Sequence, residues 1–401
     1  MKILVVDTGS KYNSFGGPQR VAALLYKGLA ENNEVYYLGY PTDYIKESDK
    51  GNSLFLSKIS NEPKYAGIPD KSNGQGAKLI YNMIFKQMMV GIDRSAVAIS
   101  VSAIMPDLII SNSIADFTLL SYLRKRGIKF KSVYIDHISL STTTTKFLSR
   151  ESLPLTVGSG INSITLDGAK KRFFNFFDMN VALNKQQETE ILRFTDRVTR
   201  ISNGIKMNTK AKQTELASVR KRYSISSTDF VVLYIGRLYE RQKRVSTIIN
   251  AFKSIKGEKM KLLLVGSGPS LEEYKELAGK DKRIVFCGPV SGKRVNEVYL
   301  ISDLFVLASA WEGLTLTTLE ALQFGLPVIL SDDSYQDDLN VSDAPLLHFP
   351  TGDQEELASL MQSVMKDAKV RQRAIIASKI LSKDFSEEKM LNKYQELIES
   401  L

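Results

Sequence analysis

Two glutamates eight positions apart, Glu312 and Glu320, fall within residues 303–332, DLFVLASAWEGLTLTTLEALQFGLPVILSD. The stretch reads as strand, short loop, helix, strand. DLFVLAS and GLPVILS are short apolar runs of the kind buried on both faces of a parallel sheet. Between them an apolar helix runs from Thr317 to Phe324 and is closed by Gly325 and Pro327. Glu312 falls in the loop beside Gly313, where backbone can approach a ligand. Glu320 falls in the helix, whose N-terminus offers unpaired N–H groups and partial positive charge, a place for a phosphate. A second reading needs no ligand: Thr317 and Glu320 have the spacing of a capping box, and Glu312 is then a solvated loop acid.

Two series of strand–helix alternation position these residues. The first begins with a strand at Lys2–Val6, the loop SKYNSFGGPQR with Gly16 and Gly17, and a helix from Pro18 to Ala30. Further strands are expected at Glu34–Gly39, Asp107–Asn112 and Lys131–Asp136, the last ending at His137, and then in MNVALN and RVTRISNGI. Residues 40–77 read as a long loop. Lys78 to Met105, with Met83, Met88 and Met89, reads as one or two helices whose Met cluster belongs to the core. SLSTTTT reads as a loop, and residues 206–216 as a linker. The second series begins at 228: FVVLYIGRL, MKLLLVGSGP, RIVFCGPV, the 303–332 stretch and APLLHF, each followed by helical spacing. Two such blocks predict an α/β protein with two doubly wound parallel sheets. These sheets bind ligands beyond the C-terminal ends of their strands. The Gly-rich and charged turns Gly16-Gly17, His137, Asn203-Gly204, Arg237, Gly266-Ser267-Gly268, Gly288-Pro289 and Glu312 all fall at such ends. None carries G-x-G-x-x-G, which weakens a dinucleotide reading.

Composition narrows the function. The 401 residues are 43% hydrophobic and 24% charged, ordinary globular values. One cysteine, Cys287, excludes an internal disulfide, and its apolar setting in RIVFCG predicts a buried, inert thiol. With two histidines, His137 and His348, no zinc site is expected, and Asp332-Asp333 reads as a solvated turn. MKILVVDTGS reads as a first strand and turn, no window has the length and apolarity of a spanning helix, and a cytoplasmic protein is expected. The net charge of +10 is uneven: residues 1–200 hold 26 Lys and Arg against 18 Asp and Glu. A basic first half suits anionic lipid, nucleic acid or a phosphorylated substrate, or serves solubility alone. KKRFFNFF, within 162–177, suits a helix on a membrane surface or an acidic partner, or a helix with a Phe core face and a wet Lys/Arg face.

Five motifs in this order resemble the retaining GT-B glycosyltransferases of glycosyltransferase family 4: FGGPQRV, IGRLYERQKRVSTIINAF, LLLVGSGP, VFCGPV and the 303–332 stretch, whose Glu312 and Glu320 match the family's E-x7-E element. The likeness covers the second half almost continuously and the first half at points. It implies two Rossmann-like domains facing each other across a cleft: an acceptor domain over 1–205 with the C-terminal helix 386–401 packed back on it, and a donor domain over 206–385. It implies that Arg237 and Lys243 bind a donor diphosphate, as a planar fork and a point charge. Glu320 would hold the ribose hydroxyls, and Gly288, Pro289 and Val290 would lie beside the base. Glu312 with the N–H groups of Gly313, Leu314 and Thr315 would meet the sugar and distal phosphate. Gly16 and Gly17 would close over the diphosphate, and His137 would contact the donor sugar. Asn203 and Gly266, at strand ends of the same set, join the donor-binding candidates. Two departures stand out: Arg244 follows Lys243 where the family has glycine, and Ile138 follows His137 where an acid is common.

The implied activity is transfer of a sugar from a nucleoside-diphosphate donor, UDP- or GDP-linked, to a hydroxyl acceptor, with no resident cofactor and no metal. With no carboxylate placed as a nucleophile, a front-face substitution is expected: the diphosphate leaves, an oxocarbenium-like sugar forms, and the acceptor attacks the same face. The acceptor, lipid-linked, glycan or cell-envelope polymer, is expected on the basic first domain, at the inner face of the membrane if that domain makes a peripheral contact. Three rivals remain: a sugar-nucleotide epimerase of the same fold, a non-catalytic sugar-nucleotide-binding subunit, and a nucleic-acid binder, for which charge is the sole support and no recognition motif exists.

Overall fold

The computed structural model describes residues 1–11, 16–42, 44–46, 52–56, 93–137, 163–206, 213–257, 259–334, 337–339 and 346–401. The chain divides into two compact units, Met1–Ser202 with Leu391–Leu401, and Asn203–Met390.

In the first unit the elements run β1 (Lys2–Asp7), α1 (Gly17–Gly28), β2 (Glu34–Gly39), β3 (Ser53–Phe55), α2 (Arg94–Ile104), β4 (Leu108–Ser111), α3 (Asp116–Lys125), β5 (Lys131–Ile135), α4 (Ser163–Phe174), β6 (Met179–Ala182), α5 (Lys185–Leu192) and β7 (Val198–Arg200). The seven strands are all parallel, in the order β3-β2-β1-β4-β5-β6-β7. Strand order reverses between β1 and β4, where Ile3 faces Leu108 and Val6 faces Ser111. The central strands are buried along their length: Ile3 to Val6 and Ile109 and Ile110 have no exposed surface, which is why they read as continuous apolar runs.

The second unit holds α6 (Gln213–Arg222), β8 (Phe230–Ile235), α7 (Glu240–Lys243), α8 (Val245–Ser254), β9 (Met260–Val265), α9 (Leu271–Ala278), β10 (Ile284–Gly288), α10 (Lys293–Leu300), β11 (Leu304–Leu307), α11 (Leu316–Gln323), β12 (Val328–Ser331), β13 (Leu347–Phe349), α12 (Gln354–Lys366) and α13 (Ala368–Asp384). Its six parallel strands run β10-β9-β8-β11-β12-β13, with the reversal between β8 and β11. The last helix, α14 (Glu387–Ser400), begins in the second unit and contributes Leu391 onward to the first. There Leu391 packs against α1 so closely that a Cβ on Gly28 would lie 2.4 Å from its Cδ1, and Asn33 Nδ2 donates to Gln395 Oε1 at 3.0 Å.

Two expectations need correction, and the structure decides between the two readings of a third segment. The loop expected over 40–77 contains β3, a three-residue edge strand too short to show a period, paired through Leu38 with Leu54. The linker expected over 206–216 gives way to α6 at Gln213, since its Lys/Thr-rich start hides a helix whose Val219 is buried against the unit. The KKRFFNFF segment resolves toward the core: Phe173, Phe174 and Phe177 have no exposed surface, while Lys171 and Arg172 are exposed. Those rings pack against Phe117 and Tyr134, Phe173 edge-on to Tyr134 (centroids 4.8 Å, 89°) and Phe177 stacked on it (5.2 Å, 28°), and are not available to a lipid surface. Lys78 to Gly91 with the Met cluster, Ile138 and SLSTTTT lie outside the described residues. Among the described residues no helix is long and apolar enough to cross a membrane.

Phe173 touches Phe117, Tyr134, Phe174 and Phe177. Phe173→Ala is expected to cost about 3–5 kcal/mol in urea unfolding; a loss under about 1 kcal/mol would mean the cluster repacks freely.

Candidate functional site

In the second unit the sequence candidates gather where β8, β9, β10 and β11 end, at the reversal of strand order. Three glycines cross adjacent strand ends in a hydrogen-bonded row: Gly236 N donates to Val265 O and Gly266 N to Gly288 O, both at 2.9 Å. The row permits backbone to touch backbone. A Cβ on Gly266, where φ is +135°, would lie 1.9 Å from Gly236 O, and one on Gly268 would lie 2.2 Å from Leu238 O. Gly288 takes φ +67° beside a register shift in β10, turning the chain toward exposed Pro289 and half-buried Val290. Cys287, half-buried in β10, has its thiol pushed up to about 12 by burial and is inert at neutral pH.

Arg237 leaves β8 exposed, its guanidinium 5.3 Å from the Tyr239 ring centroid, while Tyr234 Oη donates to its carbonyl at 2.8 Å. Lys243 ends the one-turn helix α7, which sequence periodicity missed because four residues carry no period. Its Nζ makes an ion pair with Glu312 Oε1, the two side chains keeping 15% and 7% of their exposure. Two hydrogen bonds fix this pair's backbones: Ala310 N donates to Gln242 O at 2.7 Å and Gln242 Nε2 to Trp311 O at 3.3 Å. Glu240, not picked out from the sequence, holds α7 to its surroundings. Its carboxylate accepts from Ser246 N and Oγ at the start of α8 and from Tyr274 Oη at 2.8 Å. Arg244 then takes the left-handed conformation, φ 45° and ψ 45°, at the position where the resembled family has glycine.

Gly313 follows Glu312, buried Leu314 accepts from Asn203 Nδ2 at 3.1 Å, and Thr315 caps α11. The cap is therefore Thr315, whose oxygen accepts from Thr318 N, and not the Thr317 of the capping-box reading. Asn203 Oδ1 is buried with no partner among the described residues. Glu320 is 3% exposed, and its Oε2 accepts from Tyr299 Oη at 2.6 Å. Tyr299 stacks on Phe324 (5.1 Å, 8°), so one aromatic pair orients the acid. Glu312, left open by the sequence between ligand and solvent, and Glu320, left open between ligand and helix cap, thus both have largely buried side chains held by partners. Asp332, by contrast, is half-exposed and meets His348 Nδ1 at 2.7 Å, in keeping with a turn.

In the first unit, Gly16 and Gly17 open α1, which has Pro18 in its first turn, no side-chain cap and no acid in that turn. His137 follows β5, and its Nε2 lies 2.7 Å from Asn112 Oδ1. Burial pushes its imidazole down to about 3, so it is neutral at physiological pH. Beneath it, fully buried Asp116 accepts from Thr8 N and Oγ1, Ser111 Oγ, Asn112 N and Ser113 N. Burial outweighs these five donors and lifts its carboxyl to about 6. Neither Asn112 nor Asp116 was a sequence candidate; a polar Ser-Asn-Ser leaving an apolar strand was the available signal. The candidates thus fall into two sets, Gly16, Gly17 and His137 in one unit and the remainder in the other.

The glycine row and the strained Arg244 predict opposite effects on unfolding free energy. Gly266→Ala should cost about 3 kcal/mol or more, since main chain must move; full retention of stability would contradict the close approach. Arg244→Gly should gain about 1 kcal/mol by relieving the left-handed backbone, and a clear loss would show that the arginine side chain carries the turn.

Residues 217–380 match the family model described as Glycosyl transferases group 1. Lipopolysaccharide 1,6-galactosyltransferase of Salmonella typhimurium is 28% identical over 180 residues, 40% of this chain and 50% of that protein. Alpha-monoglucosyldiacylglycerol synthase of Streptococcus pneumoniae is 30% identical over 133 residues, 32% of this chain and 30% of that protein. The aligned segments span half or less of these relatives. The crystal structure of Anabaena HepE in complex with UDP-glucose superposes with a TM-score of 0.74 at 17% identity and covers 100% of both chains, a likeness of fold. The chain has the GT-B fold, and residues 217–380 of its second unit match the glycosyl transferases group 1 model.

Proposed function

We propose that this protein is a retaining glycosyltransferase that moves a sugar from a nucleoside-diphosphate sugar to a hydroxyl acceptor. The observation that carries the reading is the buried Lys243–Glu312 pair at the β8–β11 reversal, inside the family-matched segment. Arg237 and Lys243 are the cations for the departing diphosphate, and the N-terminus of α11 behind Gly313 to Thr315 adds its N–H groups. Glu320, aimed by Tyr299, takes the ribose hydroxyls. Gly288, Pro289 and Val290 flank the base, and Gly16, Gly17 and His137 serve the donor from the first unit.

In the proposed front-face reaction the C1–O bond to the diphosphate breaks first, and negative charge grows on the leaving oxygen beside the two cations. The acceptor hydroxyl attacks the same face, and its proton passes to that phosphate oxygen. Each chain residue in this scheme stabilises charge or holds geometry; none forms a covalent bond to the sugar. UDP-glucose in the HepE complex supports a UDP-linked donor. The lipopolysaccharide and diacylglycerol named for two relatives support a lipid-linked or glycan acceptor.

A thermal-shift panel of nucleotides and nucleotide sugars identifies the donor, because a ligand of the folded state raises Tm. With that donor, Arg237→Ala and Lys243→Ala are each expected to lower turnover by ~10²-fold or more. NMR of the product should show the donor's anomeric configuration kept. Near-normal rates in both variants, or an inverted product, would remove this mechanism, and conversion of the donor without transfer would favour an epimerase.

A further inference from the structure

Asn112 leaves β4 at the strand-order reversal of the first unit, is 2% exposed and makes two side-chain contacts. Its Nδ2 donates to Pro18 O at 2.8 Å, in the first turn of α1, and its Oδ1 lies 2.7 Å from His137 Nε2. A main-chain carbonyl only accepts, so the amide must turn its NH2 group to Pro18. Its oxygen then faces the imidazole and also only accepts, so the proton belongs on Nε2. The remaining ring nitrogen, Nδ1, keeps its lone pair and has no hydrogen-bond partner among the described residues. Asn112 is itself held through its backbone. Its N–H donates to Asp116 Oδ2 at 3.0 Å, as does Ser113 N at 2.9 Å, while Thr8 N and Oγ1 grip the other carboxylate oxygen. The ends of β1 and β4 and the start of α1 are thereby tied to one ring.

We infer that Asn112 is a positioning residue that locks His137 in the neutral Nε2–H tautomer and so presents Nδ1 as an acceptor for a sugar hydroxyl. The assignment of a sugar hydroxyl rests on the glycosyltransferase reading; the tautomer lock does not. An imidazole in the opposite tautomer would offer that hydroxyl a donor. An imidazolium would offer no acceptor at all, and the desolvation of this ring opposes that form. The sequence hides the arrangement because Asn112, Pro18 and His137 meet only through the parallel sheet.

The chain has two histidines, so 15N-histidine NMR of the whole protein gives two ring-nitrogen pairs, and His348→Gln tells them apart. The wild-type spectrum is expected to show His137 with Nε2 protonated and Nδ1 bare from about pH 5 to 8. A dominant Nδ1–H form or a charged ring would overturn the lock. In Asn112→Ala and the volume-conserving Asn112→Leu, mixed tautomers are expected; an unchanged pure tautomer in a folded variant would also overturn it. The wild-type spectrum decides the matter even if both variants fail to fold. With the donor found by thermal shift, Asn112→Ala and His137→Ala are each expected to lower kcat/KM about three- to tenfold, the worth of one hydrogen bond. The double variant should lose no more than either single one. Additive losses would place Asn112 outside the histidine's action. Absence of any transfer with a correct tautomer would sink the glycosyltransferase reading and leave the lock standing.

Discussion

The ion pair between Lys243 and Glu312 is the constraint to which the second unit's site is built. Two charges removed from water repay their desolvation only if the geometry is held for them. Here the holding is visible residue by residue. A one-turn helix is anchored by Glu240 to the start of α8 and to Tyr274, and Gln242 joins it through its carbonyl and its side-chain amide to the loop bearing Glu312. The carboxylate keeps the ammonium oriented before any ligand arrives. Under the proposed function, a preset cation has no reorganisation to undergo when phosphate charge appears next to it.

The glycine row does for the backbone what this pair does for the side chains. Parallel strands end with their carbonyls and following N–H groups in one layer, and only residues without Cβ let the layers after β8 and β9 come into contact. Arg244 shows the contrary choice. It keeps a long cation at a left-handed turn, and the backbone strain is tolerated in a segment already crowded with Arg237, Arg241 and Lys243.

Much of this was visible in the order of residues. Buried parallel strands announce themselves as apolar runs, so β1, β4, β5, β8, β9, β11 and β12 could be found without a period, and β2, β10 and β13, only partly buried, were found by their short apolar runs between turns. The glycines and charges that follow them are then placed at one edge by topology alone. What escaped has a common physical character. β3 and α7 are too short to carry a pattern, and α6 begins in linker-like composition. Glu240 reaches Tyr274, Tyr299 reaches Glu320, Asn112 reaches Pro18 and His137, and Asp116 reaches Thr8, at separations of 34, 21, 94 and 25, and 108 positions that no local motif encodes. Thr317 shows the opposite failure. Its spacing to Glu320 fits a capping box, but the helix starts two residues earlier and the acid turns inward to Tyr299.

The first unit draws its last elements from the far end of the chain, since Leu391–Leu401 belongs with Met1–Ser202. On the ribosome, then, the amino-terminal sheet is made early yet must wait for the whole intervening unit before Leu391 can seal the patch beside Gly28 and Gln395 can reach Asn33. During that interval an apolar stretch of α1 stays uncovered.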